Sequence, residues 1–210
     1  LTSFGTSAIL TEVPEMFGAE KLLMKRCENE KVFNKCVNMI NSFKQYFFSH
    51  NQECYENPSP GNHDGGITTL EEKSLGCIQK GGKAVITDVL EYGEHCKKQG
   101  LNLLTGPGND IVSTTNLTAA GANIILFTTG RGTPLGASVP TIKVSSNSRL
   151  AKRKSNWIDF NAGELIESND FENMTEEIFK LLIDIASGRQ TKNEQNGYRD
   201  ISIFKDGVIM

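Results

Sequence analysis

Glu12 and Glu15 stand three positions apart, on either side of Pro14. Carboxylates near a helix start partner the helix dipole, or they offer hard oxygen ligands to a divalent metal. Thr128-Thr129-Gly130-Arg131-Gly132-Thr133-Pro134 sets one arginine between two glycines, directly after an apolar run. The glycines let the backbone approach a ligand closely, and the planar guanidinium suits a carboxylate or phosphate. The alternative is a tight turn with a solvated arginine. Lys73, Cys77 and Lys80 fall at i, i+4 and i+7 and share one helical face. A desolvated lysine there could act as a general base; a solvated charged face over a buried cysteine is the other reading. His63 and Asp64 lie in the Asn/Pro/Gly-rich run from Asn57 to Gly66, where they could transfer protons or bind metal, or simply belong to a surface loop. Gly106-Pro107-Gly108-Asn109-Asp110 could cradle an anion on helix amides. It lacks the GxGxxG spacing and the P-loop lysine, so a turn with Asn109 or Asp110 as helix cap is the competing reading. The sequence holds neither an HExxH pair nor a GxSxG elbow.

These residues must be held by regular elements. Residues 7–13 read as a short buried strand, and Pro14 suits a first helical turn. Helices are predicted over 15–27 and 28–50, the second with Phe33, Val37, Ile40, Phe43 and Phe47 as its apolar stripe. Residues 51–66 form a long loop, of a length usually tied to function or disorder. Thr68 or Thr69 caps a helix to Gln79, which Gly81-Gly82 ends. Strands follow at 84–89, 101–105, 124–127 and 139–144; helices at 92–99, 111–120 and 173–186; the tail from 201 to 210 reads as one more strand. Short apolar strands alternating with helices predict a parallel sheet covered on both faces, an α/β class. Ligands of such sheets bind outside the carboxyl ends of the strands. That places Glu12 and Glu15, residues 106–110, residues 128–133 and residues 145–147 on one common edge.

The chain has 210 residues, 38% of them apolar, with 22 Lys+Arg against 25 Asp+Glu and a net charge of −3. This is read as a single α/β domain over 1–210, large enough to bury a core without disulfides or a structural metal. The charge balance gives no footprint for nucleic acid or an anionic membrane, and no apolar run is long enough to span a bilayer. The five cysteines show no zinc spacing, and no basic-then-apolar leader is present. A reducing, cytoplasmic setting with free thiols is expected. The chain opens on Leu1 a few residues before an apolar strand, which reads as a piece of a longer protein.

Several segments together are more specific than any one alone. They are Thr11-Glu12-Val13-Pro14-Glu15-Met16 with Gly18-Ala19-Glu20, Asn57-Pro58-Ser59-Pro60-Gly61-Asn62 with Gly65-Gly66, and Glu72-Lys73-Ser74-Leu75-Gly76-Cys77. They continue with Pro107-Gly108-Asn109-Asp110, the stretch from Phe127 to Pro134, Val139-Pro140 with Lys143, and Asp159-Phe160-Asn161-Ala162-Gly163. Collinear over most of the chain, they resemble the C-terminal part of the altronate/galactarate dehydratase family of sugar-acid dehydratases. Residues 75–82 look closer to the altronate branch. The resemblance implies a Rossmann-like fold, a bacterial enzyme of uronate or hexarate breakdown, and a divalent metal, Fe²⁺ by expectation. It also implies a longer parent chain with a small β-rich N-terminal domain. Both that domain and the glycine- and cysteine-containing motif that precedes the Thr-Glu-Val-Pro-Glu strand in the family are absent from these residues, which leaves an isolated 1–210 piece expected to be incomplete as an enzyme.

The chemistry so implied removes water from D-altronate to give 2-keto-3-deoxy-D-gluconate. A proton α to a carboxylate is weakly acidic and needs a base, with positive charge to hold the enediolate. For this chemistry Arg131 is expected on the substrate carboxylate, Thr129 and Thr133 as hydroxyl contacts, and Asn57, Asn62 and Asn109 on substrate hydroxyls. Glu12 and Glu15 fall near the metal; Lys73 is the expected base, with His63 in reserve. The partner is a small sugar acid rather than a nucleic acid or a membrane, with a homodimer and the missing N-terminal segments as further contacts. Galactarate dehydration and sulfite loss from a sulfolactate use the same scaffold logic. An inert structural fragment, or a Rossmann-like module binding another anion, is the non-enzymatic reading.

Overall fold

A computed structural model describes residues 1–53, 62–63 and 66–207. The apolar runs form parallel strands, as the patterning predicts, but in two sheets of three strands each rather than one. The chain divides into two compact units: Leu1–Gly121 together with the residues from Ser202 onward, and Ala122–Ile201. The strand ends predicted for one edge belong to two sheets, one in each unit. The ends of the first unit's strands carry Glu12, Glu15 and residues 106–110, and the ends of the second unit's strands carry residues 128–133 and 145–147.

In the first unit, β1 (Ser7–Leu10), β2 (Ile86–Leu90) and β3 (Gly100–Leu104) lie in the order β1-β3-β2, all parallel. Ser7 pairs with Gly100 and Leu10 with Leu103. The fully buried Leu23, Ile86 and Leu103 sit at the centre of its core. Truncating any of them to Ala is expected to cost about 2–5 kcal/mol.

The predicted helix over 15–27 breaks in two. Gly18 takes φ +92°, a left-handed conformation closed to an α-helix interior. The chain makes a 3₁₀ turn, Val13–Met16, and then the short α1 (Glu20–Met24). Helix α2 (Glu30–Ser49) is capped by Asn29, whose side chain accepts the Val32 amide. Its buried stripe is Val32, Cys36, Met39, Ile40 and Phe43. Phe33, predicted on that stripe, remains 41% exposed. Helix α3 (Leu70–Gln79) begins at Thr69 as predicted, and α4 (Asp110–Ala119) begins at the Asn109 cap.

Residues 92–99 are not helical. Gly93 has φ +75°, and its amide is taken by the Asn116 side chain at 2.8 Å, so the local polar groups are satisfied without a helix. Residues 201–207 join no strand. They are held by tertiary contacts instead. Ser202 N donates to Thr115 Oγ1, Phe204 N to the Tyr92 hydroxyl and Gly207 N to the Tyr46 hydroxyl. The Phe204 ring lies 5.5 Å from Tyr46 and 5.6 Å from Tyr92.

In the second unit, β4 (Ile125–Thr129), β5 (Thr141–Ser145) and β6 (Phe160–Asn161) lie in that order, all parallel. Helix α5 (Ser148–Arg153), for which the residue pattern predicts no element, is capped by Asn147. It is followed by α6 (Glu164–Ser168), α7 (Phe171–Ala186) and α8 (Lys192–Gln195). Ile142 and Val144 of β5 pack against Ile185 of α7. Among the described residues no helix is long and apolar enough to cross a membrane, and Cys27, Cys36, Cys77 and Cys96 are free thiols.

Candidate functional site

In the first unit the chain leaving β1 is clasped to the chain leaving β3. Thr11 Oγ1 donates to the Leu104 carbonyl at 3.0 Å, and Val13 N donates to the Gly106 carbonyl at 3.0 Å. Two glycines make this approach feasible. A Cβ on Gly106 would stand 2.8 Å from Asn116 Nδ2, and one on Gly108 would stand 3.2 Å from Glu15 Oε1. Glu12 itself sits at φ +71°, a left-handed backbone that costs a non-glycine residue roughly 1–2 kcal/mol. Strain of this kind concentrates where a side chain must be aimed.

Helix α3 completes the group. The Ser74 hydroxyl donates to the Phe17 carbonyl and locks the helix against the 3₁₀ turn. Lys73 Nζ then lies 3.0 Å from Glu15 Oε1 and 2.8 Å from Oε2. Lys80, one turn beyond Cys77 on the same face, reaches Glu12 Oε2 at 3.4 Å. Both carboxylates and Lys73 are largely buried, with side-chain exposures of 19% for Glu12, 16% for Glu15 and 20% for Lys73. The face predicted from the i, i+4, i+7 spacing is real; Cys77 is buried on it, Lys73 is mostly covered, and Lys80 lies at its exposed end.

The charges in this group shift its protonation. Burial pushes the Glu12 carboxyl above the ordinary carboxylate range; the Lys80 ammonium pulls it down, and Glu15 and Asp110 push it up further. Burial pulls Lys80 downward, but Glu12, Cys77 and Glu15 outweigh that and raise it. Burial pushes the Cys77 thiol up to about 12, so it stays a neutral filler. Glu12 and Lys80 therefore both favour their protonated forms. The group can hold a proton, pass it between oxygen and nitrogen, and present positive charge beside a carboxylate.

Asn109 spends its side-chain oxygen on the Val112 amide as the α4 cap. Asn62 and His63 lie on the segment leading into α3, with His63 exposed. Asn57 lies outside the described residues. The described hydrogen bonds and ion pairs thus bring together Glu12, Glu15 and Lys73, and they add Lys80, which the sequence reading placed on the right face without assigning it a role. Its proximity to Glu12 spans 68 positions, and no local pattern signals it.

Among the described residues no group of three metal-ligating side chains assembles. Glu12 and Glu15 supply two carboxylates, and a lysine ammonium engages each. This donor set does not by itself fit a divalent iron, which takes more ligands than two.

In the second unit, the turn after β4 is clamped from three sides. Thr129 Oγ1 accepts the Gly132 amide at 2.9 Å, Asn147 Nδ2 donates to the Gly130 carbonyl at 3.0 Å, and Lys143 Nζ donates to the Thr133 carbonyl. Gly132 takes φ +84° beneath the Leu150 side chain, where a Cβ would come within 2.9 Å of that side chain. Thr133 Oγ1 accepts the Leu135 amide at 3.3 Å. Arg131, between the clamped carbonyls, is exposed. The predicted hydroxyl contacts, Thr129 and Thr133, thus hold the turn itself.

Acid–lysine pairs in the first unit and a clamped arginine turn in the second each stand at the carboxyl end of a parallel strand of an α/β protein. The chain belongs to the D-galactarate/Altronate dehydratase, C-terminal family, which matches residues 1–209. It is 56% identical over 206 residues to altronate dehydratase of Escherichia coli (strain K12), covering 98% of this chain and 42% of that protein. It is 54% identical over 211 residues to altronate dehydratase of Bacillus subtilis (strain 168), covering 100% of this chain and 42% of that protein. Its identity to the galactarate dehydratase (L-threo-forming) of Escherichia coli (strain K12) is 35% over 213 residues, covering 100% of this chain and 41% of that protein. The chain thus spans about two fifths of the length of these relatives.

Proposed function

We propose that the complete protein carrying this chain is a hydro-lyase that dehydrates D-altronate to 2-keto-3-deoxy-D-gluconate. The observation that carries the reading is the Glu15–Lys73 pair at the end of β1, beside Glu12 and Lys80. The higher identity to altronate than to galactarate dehydratases supports the substrate. The proton chemistry belongs to the first unit. Lys73 is clasped by both oxygens of the Glu15 carboxylate. The pair works together: a Glu15 oxygen accepts the proton from the carbon α to the substrate carboxylate, and the Lys73 ammonium stabilises the enediolate that forms. Glu12, biased toward its protonated form, donates a proton to the 3-hydroxyl as it leaves as water. Lys80 then holds the carboxylate that remains. The enol product ketonises to the 2-keto-3-deoxy acid. In the second unit, Arg131 supplies the fork for an acid anion. His63 and the asparagines Asn57 and Asn62 remain candidate contacts for substrate hydroxyls. A cytoplasmic setting accords with this metabolic role.

The test is a dehydration assay of the complete protein on D-altronate and galactarate, with and without added Fe²⁺ under reducing conditions, reading 2-keto-3-deoxy acid. Product from altronate that is lost in Glu15→Gln and Lys73→Met is the expected result. Turnover of neither sugar acid by a folded protein would reject the reading.

A further inference from the structure

Strand β5 carries a lysine in the interior of the second unit. Lys143 is 0% exposed, and its neighbours Ile142 and Val144 belong to the apolar core on the α7 side. Side chains alternate across a strand, so Thr141, Lys143 and Ser145 form a row on the opposite face. Each bonds to backbone there. Thr141 Oγ1 accepts the Ala137 amide at 3.1 Å and donates to the Val139 carbonyl at 2.9 Å. Ser145 Oγ reaches the Phe160 carbonyl at 3.5 Å. Lys143 Nζ donates to the Thr133 carbonyl and lies 5.2 Å from the centre of the Phe127 ring, its direct partner across the β4–β5 ladder. A buried ammonium is tolerated only when its bonds are made. A threonine or an apolar residue would build this strand more easily, so the charge is there for what it holds.

We infer that Lys143 is a positioning residue that fixes the Gly130–Arg131–Gly132–Thr133 turn from below and so sets the aim of the Arg131 guanidinium. Asn147 on the Gly130 carbonyl and Lys143 on the Thr133 carbonyl bracket the arginine from both sides. With one bracket removed, the turn opens at Thr133, and Arg131 samples orientations in which its fork no longer meets an anion. That the anion is the substrate carboxylate follows from the reading under Proposed function. The fixing of the turn follows from the geometry alone.

The experiment compares Lys143→Met, which keeps the stem and removes the charge, with Thr141→Val, which cuts the adjacent rung of the same row. Both are made in the complete protein, alone and in an Arg131→Lys background. Amide hydrogen exchange reads the turn, and steady-state kinetics on D-altronate read its use. In Lys143→Met, exchange at Gly132 and Leu135 is expected to speed up about tenfold or more, with β4 and β5 amides still protected. KM is expected to rise about tenfold with kcat within about threefold, and by less than about twofold in the Arg131→Lys background. Thr141→Val lowers the melting temperature without that KM change. Unchanged exchange at Gly132 and Leu135 in a folded Lys143→Met protein would overturn the inference. A loosened turn with unchanged KM, while Arg131→Lys raises KM, would overturn the link from Lys143 to Arg131. A loosened turn with KM unchanged in both variants would instead remove Arg131 from the substrate and leave the fixing of the turn in place.

Discussion

Lys73 Nζ meets both oxygens of Glu15, at 2.8 and 3.0 Å, across 58 positions of sequence. The contact joins the end of a strand to the face of a helix, and neither element alone could hold a proton there. Glu15→Gln and Lys73→Met should each lower kcat by about 10²–10⁴. The double variant should be little worse than either single one, because a unit is lost only once. Kinetics of the four proteins, with thermal melts to confirm folding, check this. Additive losses would show that the two side chains act separately.

Glu12 separates stability from activity. Its left-handed backbone at φ +71° suits glycine, and its ion pair to a 40%-exposed lysine contributes about 0–1 kcal/mol. Glu12→Gly should hold stability within about 1 kcal/mol of the natural chain, whereas Glu12→Ala, which keeps the strain, should be about 1 kcal/mol less stable than Glu12→Gly. Both should lose turnover by about 10² or more. Denaturant melts alongside kinetics give the comparison, and an active Glu12→Gly protein would remove the carboxyl from the chemistry.

Asp88 predicts a pH dependence of the first unit. Burial pushes its carboxyl up, but the Lys35 ammonium at 2.8 Å, the Val89 amide and Lys98 more than offset this and hold it below the ordinary value of 3.8. The folded state therefore binds this proton less readily than the unfolded one. The stabilisation is present in full above the ordinary value and is lost as pH falls through the lower, folded value. Asp88→Asn should cost about 1 kcal/mol near neutrality, and the difference from the natural chain should shrink toward zero in strong acid. Urea melts of both proteins across that range would show it.

Gly163 should be irreplaceable in the second unit. A Cβ there would collide with the backbone of Asn147 and Ser148, where the α5 cap supports the arginine turn through Asn147. Gly163→Ala should cost about 3 kcal/mol, visible as a lower melting temperature. A melting temperature equal to that of the natural chain would mean that α5 shifts freely.

Local chemistry was readable from the residues. Thr69 and Asn109 cap the helices their types predict, and the spacing of Lys73, Cys77 and Lys80 put them on one face because a helix fixes that geometry. What spacing does not carry is strand partnership. Apolar strands of similar composition can join one sheet or two, and only long-range pairing decides; the division after Gly121 was thus hidden. Gly18 breaks one predicted helix and Gly93 stands where another does not form, since positive φ at a glycine is a tertiary outcome as much as a local one. Lys143 stands within a recognisable motif, yet its burial is unreadable there, because the carbonyl that accepts its hydrogen bond lies ten positions away on another segment.

The chain leaves the first unit after Gly121 and returns to it at Ser202, where residues up to 207 settle against Tyr46, Tyr92 and Thr115. The second unit is thus an insertion within the first. During synthesis from the N-terminus, the inserted unit emerges before residues 202–207, which pack on its host. Closing so long a loop costs little more than closing a short one, so the delay is in time rather than in free energy. Until Phe204 arrives, Tyr46 and Tyr92 lack the ring that packs against both. That interval is when a chaperone, or an aggregating neighbour, would find this protein most receptive.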